Sequence, residues 1–249
     1  WMLSGNFAKP GTAYTCNGLG NVGAGSEGGK SPVLGGRIIS GLVPANIIPD
    51  EVMADHPNHY RAMIIESGNP VHSLPDSPKW RKAMRALECS VVIDIAMTET
   101  ARGADYVLPA TTQLEKAEAT FFNFEFPENY FHVRAPLFPA PDGVLDEAEI
   151  HARITEALGG IPSGILDELN SALTEGGREA FRNLVFKKLG DDPTIGRIAP
   201  VLLYRTLGKT LPNKMQNAAA VWAVCHQHAL AKRSSVEAAG ITGEGMDLG

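Results

Sequence analysis

The chain has few cysteines, no long apolar run and no excess of positive charge, and each shortage closes off a class of protein. Only Cys16, Cys89 and Cys225 occur in 249 residues. So odd and scattered a set makes a poor disulfide framework and fits a reducing compartment, so a cytoplasmic location is expected. No Cys-x-x-Cys is present, which leaves this chain without the thiolates for an iron–sulfur cluster or a Cys₄ zinc site. No apolar run approaches the ~18 residues of a membrane span. The start, Trp1-Met2-Leu3-Ser4-Gly5-Asn6, lacks the basic and long apolar regions of a signal peptide. The formal net charge of −6 argues against a nucleic-acid partner, which needs a basic face. No Gly-x-Ser-x-Gly elbow occurs, so hydrolase chemistry has no foothold.

What is present suffices for a buried core. Apolar residues make up 44% of the chain, and at roughly 100–200 residues per domain the length allows one large domain or two smaller ones. Residues 1–36 hold ten glycines, offer no clear strand or long amphipathic helix, and read as the tail of something earlier. Residues 37–61 are mixed, with a short apolar run from Ile38 to Val43. Residues 146–240 are mostly helical in pattern, with breaks at Gly159-Gly160, Gly176-Gly177, Gly190 to Pro193 and Leu211-Pro212. Asp146 to Leu158 is amphipathic. Arg178 to Leu189 places Phe181, Leu184, Val185 and Leu189 on one face, and Asn213 to Arg233 reads as one long Ala-rich helix.

The stretch 62–120 is the most legible. Ala62-Met63-Ile64-Ile65-Glu66 is an apolar run broken by the turn residues Ser67-Gly68-Asn69-Pro70. Ser77 as N-cap and Pro78 at the first helical position open a helix in which Trp80, Ala83, Met84 and Leu87 share a face. Lys79, Arg81, Lys82 and Arg85 lie on its wet side. Ser90-Val91-Val92-Ile93-Asp94 is a second strand, and Tyr106-Val107-Leu108, closed by Pro109, a third. Short, wholly apolar strands separated by a helix predict an α/β unit with a parallel sheet covered on both faces.

Ligands of such sheets bind beyond the carboxyl ends of the strands. Gly68 offers close backbone approach, Asn69 a donor and an acceptor, and Asp94 a carboxylate suited to a guanine edge or to ribose hydroxyls. The same residues also serve as turn formers, since Gly-Asn-Pro is a common turn and a strand-end Asp often caps the next segment of chain. Ala24-Gly25-Ser26-Glu27-Gly28-Gly29-Lys30-Ser31 resembles a phosphate-binding loop but fails as one. Ala24 stands where Gly is needed, no strand precedes it, and Pro32 biases Ser31 away from helical geometry. His56 and His59, and Cys225 with His226 and His228, lack a matching third ligand and read as ordinary histidines. Phe121-Phe122-Asn123-Phe124-Glu125-Phe126 alternates like a strand and reads as core.

The segment Met63 to Thr120 resembles the molybdopterin oxidoreductase family, which includes formate dehydrogenases, nitrate reductases and dimethyl sulfoxide reductases. The resemblance rests on Ile64-Ile65-Glu66-Ser67-Gly68-Asn69-Pro70, Val91-Val92-Ile93-Asp94, Thr98-Glu99-Thr100-Ala101, Ala104-Asp105-Tyr106-Val107-Leu108-Pro109-Ala110 and Glu115-Lys116. It extends weakly back to Gly5-Asn6 and Lys9-Pro10-Gly11, and forward to about Leu158. It implies a Rossmann-like unit over 1–158 of a molybdopterin-dinucleotide-binding region, followed by a helical extension over 159–249. It implies a molybdenum or tungsten enzyme holding two molybdopterin guanine dinucleotides, with this region taking the guanosine end of one of them. The cofactor-binding residues it implies are Gly68, Asn69, Ile93, Asp94, Lys116 and Asp146. No catalytic or metal-ligating residue is assigned. An iron–sulfur cluster is expected in an N-terminal part outside these residues, and the expected partners are the remaining domains of a parent enzyme and an electron-transfer subunit. The isolated chain is expected to be inactive. Two other readings stand beside this one: a scaffold or interaction module that kept the fold without the cofactor, and a free-standing nucleotide-binding protein.

Overall fold

In the computed structural model the described residues are 29–39, 42–119 and 132–238, the side chains of 228, 235 and 236 excepted. The run of aromatics at 121–126 and the residues 24–28 of the loop-like motif lie outside them. The described residues divide into two compact units, one of 29–112 with 141–147, the other of 113–140 with 148–238.

The first unit is the expected α/β fold. β1 (Ala62–Glu66), β2 (Cys89–Asp94) and β3 (Tyr106–Pro109) form a parallel sheet in that order. The register pairs Ile65 with Val92 and Val92 with Val107. β-Branched residues suit a pleated, packed surface, and here they alternate between its two faces. One face is covered by α1 (Ile48–Met53) and α3 (Ser77–Ala86), so that Ile65 and Val92 pack with Val52, Trp80, Ala83, Met84 and Leu87. Each large side chain so buried contributes on the order of 1.5–3 kcal/mol before its ordering entropy is counted. Lys79 of α3 reaches Asp50 of α1 at 2.7 Å and ties the two helices together. The opposite face departs from expectation. Ile64 is 50% exposed and Tyr106 63% exposed there, while Ile93 on the same face is fully buried, so that face is covered only in part. Beyond β3, Leu145 makes an isolated parallel bridge to Ala110; its N–H donates to the Pro109 carbonyl and its own carbonyl accepts from Thr111.

The cap of α3 sits one residue earlier than the sequence pattern suggests. Asp76, at φ 64°, accepts the N–H of Lys79, and Ser77 and Pro78 are the first two helical residues. Asp outcompetes Ser because its carboxylate is the stronger acceptor for an orphan N–H at the positive end of a helix. On the other side of this unit, Ser31-Pro32-Val33-Leu34 forms a turn anchored on α1. The buried Glu51 carboxylate accepts the N–H groups of Val33 and Leu34 at 3.0 and 2.9 Å. Burial pushes its pKa up, but bonds from Ser31 and those two amides outweigh burial and leave it below the usual carboxylate value.

The second unit holds a two-stranded antiparallel pair, β4 (Glu118–Ala119) and β5 (Val133–Arg134), and otherwise helices. These are α4 (Glu147–Ala157), α5 (Ile165–Asp191), α6 (Ala199–Arg205), α7 (Ala219–Ala231) and α8 (Arg233–Ala238). Leu169, Phe181, Val185, Leu202, Leu203 and Leu207 make its core, with Trp222 tilted against Phe181 at 5.7 Å. The Gly176-Gly177 break is a kink inside α5, where Gly177 adopts φ 68° and ψ −164°. The long helix expected from Asn213 starts instead at Ala219. Asn213 and Lys214 are left-handed, at φ 54° and 58°, and a 3₁₀ turn over Gln216–Ala218 comes next. Arg205 on α6 gathers Glu149 at 2.5 Å and Glu156 at 2.6 Å, both on α4; its bond to Glu156 and then that to Glu149 raise its already high pKa against the pull of burial. Among the described residues no helix is long and apolar enough to cross a membrane.

Candidate functional site

The carboxyl ends of the three parallel strands converge on one edge of the first unit. β1 leaves the sheet through Ser67, a non-glycine at φ 51° whose N–H donates to the Ile93 carbonyl at 3.0 Å. Such left-handed residues carry local strain, and here the neighbouring strand holds it in place. Gly68 therefore is not required for the turn's backbone geometry. A Cβ built on it would meet only ordinary contacts, the nearest being the Glu66 carbonyl at 3.6 Å. Without a side chain, the half-buried main chain at Gly68 is open to close approach.

Asn69 caps α2 (Pro70–Ser73) through its carbonyl, which accepts from the N–H groups of His72 and Ser73 and from the Ser73 hydroxyl. Its side chain points to the β2–β3 connection. Oδ1 accepts the Thr100 N–H at 3.2 Å and the Thr100 hydroxyl at 2.8 Å, while Nδ2 donates to Glu99 Oε2 at 2.6 Å. The Asn69 amide bond is the main reason why Glu99 sits below the usual carboxylate pKa, with its own N–H helping. Thr98 completes this connection, its hydroxyl accepting the Ala101 N–H at 3.1 Å as a helix-start cap does.

Asp94 ends β2 and is half-buried. Its Oδ1 accepts the N–H of Ala96 at 3.1 Å, the turn-forming use that stands as the alternative to a ligand role. Its main-chain carbonyl accepts from Ala110. Among the described residues no group donates to Asp94 Oδ2, so half of this carboxylate retains its acceptor capacity. Ile93 beside it has a fully buried side chain, which leaves only its main chain near the edge. Asp146 comes directly after Leu145, the residue bridged to Ala110 just past the end of β3. Lys116 is half-buried and belongs to the second unit. The first unit thus brings together Gly68, Asn69, Asp94 and Asp146, with Ile93 beneath them. Among the described residues, no group of three or more His, Cys, Asp or Glu side chains is placed to hold a metal ion. His59 and His226 are engaged with main-chain carbonyls, of Val52 at 3.0 Å and Trp222 at 2.9 Å.

Two features have no counterpart in the sequence pattern. One is Thr100, whose partner Asn69 lies 31 residues away and leaves no local signal. The other is the lock between Ser90 and Asp105. Asp105 Oδ2 accepts both the hydroxyl and the N–H of Ser90 at 2.7 Å, fixing the start of β3 to β2. The edge as a whole is rich in acceptors. It suits a ligand part that offers several N–H or O–H donors, as the guanine N1–H and N2–H₂ edge and the ribose hydroxyls do, better than it suits a bare phosphate.

Known proteins share this arrangement of sequence. The family model for molybdopterin oxidoreductase matches residues 3–137. The F420-dependent formate dehydrogenase subunit alpha of Methanocaldococcus jannaschii is 29% identical over 174 residues, 64% of this chain and 25% of that protein. The F420-dependent formate dehydrogenase 1 subunit alpha of Methanococcus maripaludis is 32% identical over 145 residues, 50% of this chain and 21% of that protein. The trimethylamine-N-oxide reductase of Vibrio parahaemolyticus is 42% identical over 57 residues, 23% of this chain and 7% of that protein. The chain thus spans a quarter or less of the length of these relatives. With the family model covering more than half of its residues, the chain belongs to the molybdopterin oxidoreductase family.

Proposed function

We propose that the carboxyl edge of β1–β3 binds the guanosine end of a molybdopterin guanine dinucleotide, and that the chain is part of a molybdenum- or tungsten-dependent oxidoreductase of formate dehydrogenase type. The observation that carries this reading is Asp94, whose Oδ2 is without a protein donor among the described residues at the end of a parallel strand. Its remaining lone pairs suit the two adjacent donors of a guanine edge, and adenine offers no such pair in that position. Gly68 supplies bare main chain beside it, and Asp146 a second acceptor for ribose hydroxyls. Lys116 is proposed as a further residue for the nucleotide's negative charge. Redox chemistry would come from the metal and its dithiolenes when bound, and this chain's residues contribute position and electrostatics. The iron–sulfur cluster, the remaining domains of a parent enzyme and an electron-transfer subunit are proposed as its companions, in the cytoplasm.

A second reading keeps the fold as a scaffold without cofactor. It is favoured by one observation, that the Asn69 side chain is satisfied inside the protein. Thermal-shift titration separates the two. A ligand present at 100 times its Kd stabilises the folded state by about 2.7 kcal/mol. GDP is expected to raise Tm where ADP does not, and Asp94→Ala to abolish the GDP shift. No shift with either nucleotide would remove the guanosine reading and leave the scaffold. Equal shifts with GDP and ADP would point to the free-standing nucleotide binder.

A further inference from the structure

The bonds around Asn69 form a closed circuit between two loops. The Thr100 main-chain N–H can only donate, so the atom facing it must be the Asn69 oxygen, and the amide nitrogen is thereby turned to Glu99. Thr100 is fully buried, and its hydroxyl has two tasks. It donates to Asn69 Oδ1 and accepts the N–H of Val71 at 3.1 Å. Val71 lies in the first turn of α2, where N–H groups have no partner within the helix and must find one elsewhere. The β2–β3 connection therefore caps α2 from outside, and Asn69 grips the same threonine in return. Neither lone pair of Oδ1 is left for a ligand.

We propose that Asn69, Thr100 and Glu99 form a strut that holds the two loops of the carboxyl edge in register, and that Asn69 and Thr100 act on nucleotide affinity by position and not by contact. The inference rests on the reading of this edge as a guanosine site. It reassigns Asn69 from a ligand contact to a positioning residue and leaves Gly68 and Asp94 as the face presented to the nucleotide. A strut of this kind settles in advance the ordering of the connection over residues 98–103, an ordering that binding would otherwise have to supply.

The test uses the full chain with GDP as the probe. Thr100→Val keeps the shape of the side chain and removes the hydroxyl; Thr100→Ser keeps the hydroxyl. Amide hydrogen exchange over residues 98–103 is followed without nucleotide, and GDP affinity is measured by calorimetry. Thr100→Val is expected to speed exchange in that connection and to weaken GDP binding, each by roughly tenfold or more, with Thr100→Ser restoring both. Unchanged exchange would overturn the strut. Faster exchange with unchanged GDP affinity would overturn its role in binding, as would failure of Thr100→Ser to restore affinity. If Thr100→Val does not fold, Glu99→Ala takes its place. Glu99 is exposed and contributes only the outermost bond, so a smaller change in the same two readouts is expected, and none would count against the strut. Wild-type chain that does not bind GDP would defeat the guanosine reading alone, and the exchange comparison would still decide whether the strut exists.

Discussion

Asp105 shows how much a single carboxylate at the amino end of the sheet does without facing any ligand. The Ser90 hydroxyl first and the Ser90 N–H next hold its carboxyl below the usual carboxylate range. A group whose pKa is lower folded than unfolded adds stability above its unfolded value, near 3.9 for Asp, and that addition is lost as pH falls through the folded value. Replacing Asp105 with Asn is therefore expected to lower Tm at pH 7 and to reduce the loss of Tm on acidification from about pH 5 downward. Melting curves at stepped pH for the two proteins check this; parallel curves would contradict the lock. The same residue illustrates what a single sequence conceals. The Ala-Asp-x-Val-Leu-Pro block is legible as a motif, but its Asp has no visible partner there, because Ser90 meets it only after β2 and β3 are paired. Asn69 is legible as a hydrogen-bonding residue at a strand end, and its partners are hidden for the same reason. Asp76 displaces Ser77 as the cap of α3 by a margin that propensity alone does not resolve.

The elements most legible in the sequence are those with strong local signals. The three strands end at Glu66, Asp94 and Pro109, and the α3 face of Trp80, Ala83, Met84 and Leu87 is buried as its spacing implies. Pattern fails where backbone conformation overrides it, as at Asn213 and Lys214, whose left-handed geometry delays α7 to Ala219. The glycines of α5 divide along the same line. Gly177 adopts a conformation open almost to glycine alone, so Gly177→Ala is expected to destabilise by about 1–3 kcal/mol although space is available for the methyl group. Gly190 lies in the last turn of the same helix, with open space around it and no positive φ. Gly190→Ala is expected to stabilise by about 0.4–1 kcal/mol. Urea denaturation followed by far-ultraviolet ellipticity tests the pair, and a shared sign would refute the kink as the cause. The partial covering of the second face of the sheet is not foreseeable from apolar strands. Their composition states that both faces are apolar and not what lies against each, and Ile64 and Tyr106 remain open.

At the scale of the whole molecule, the chain matches the family's model over residues 3–137 and spans a quarter or less of its relatives' length. Among its described residues no metal-holding cluster is found. Purified alone, it is expected to show no formate oxidation with an artificial electron acceptor and no stoichiometric molybdenum by elemental analysis. Turnover together with bound metal would overturn its assignment as part of a larger enzyme.

The bridge between Ala110 and Leu145 has a consequence for synthesis on the ribosome. β1, β2 and β3 can pair once Pro109 has emerged, but Leu145, the residue bridged just past β3, lies about 36 residues further on, after a stretch that belongs to the other unit. At roughly 5–20 residues per second, the carboxyl end of β3 waits some seconds for this partner in every nascent chain. It offers free main-chain donors and acceptors during that interval. The timetable of translation, and not sequence order alone, decides when the carboxyl end of the sheet is complete.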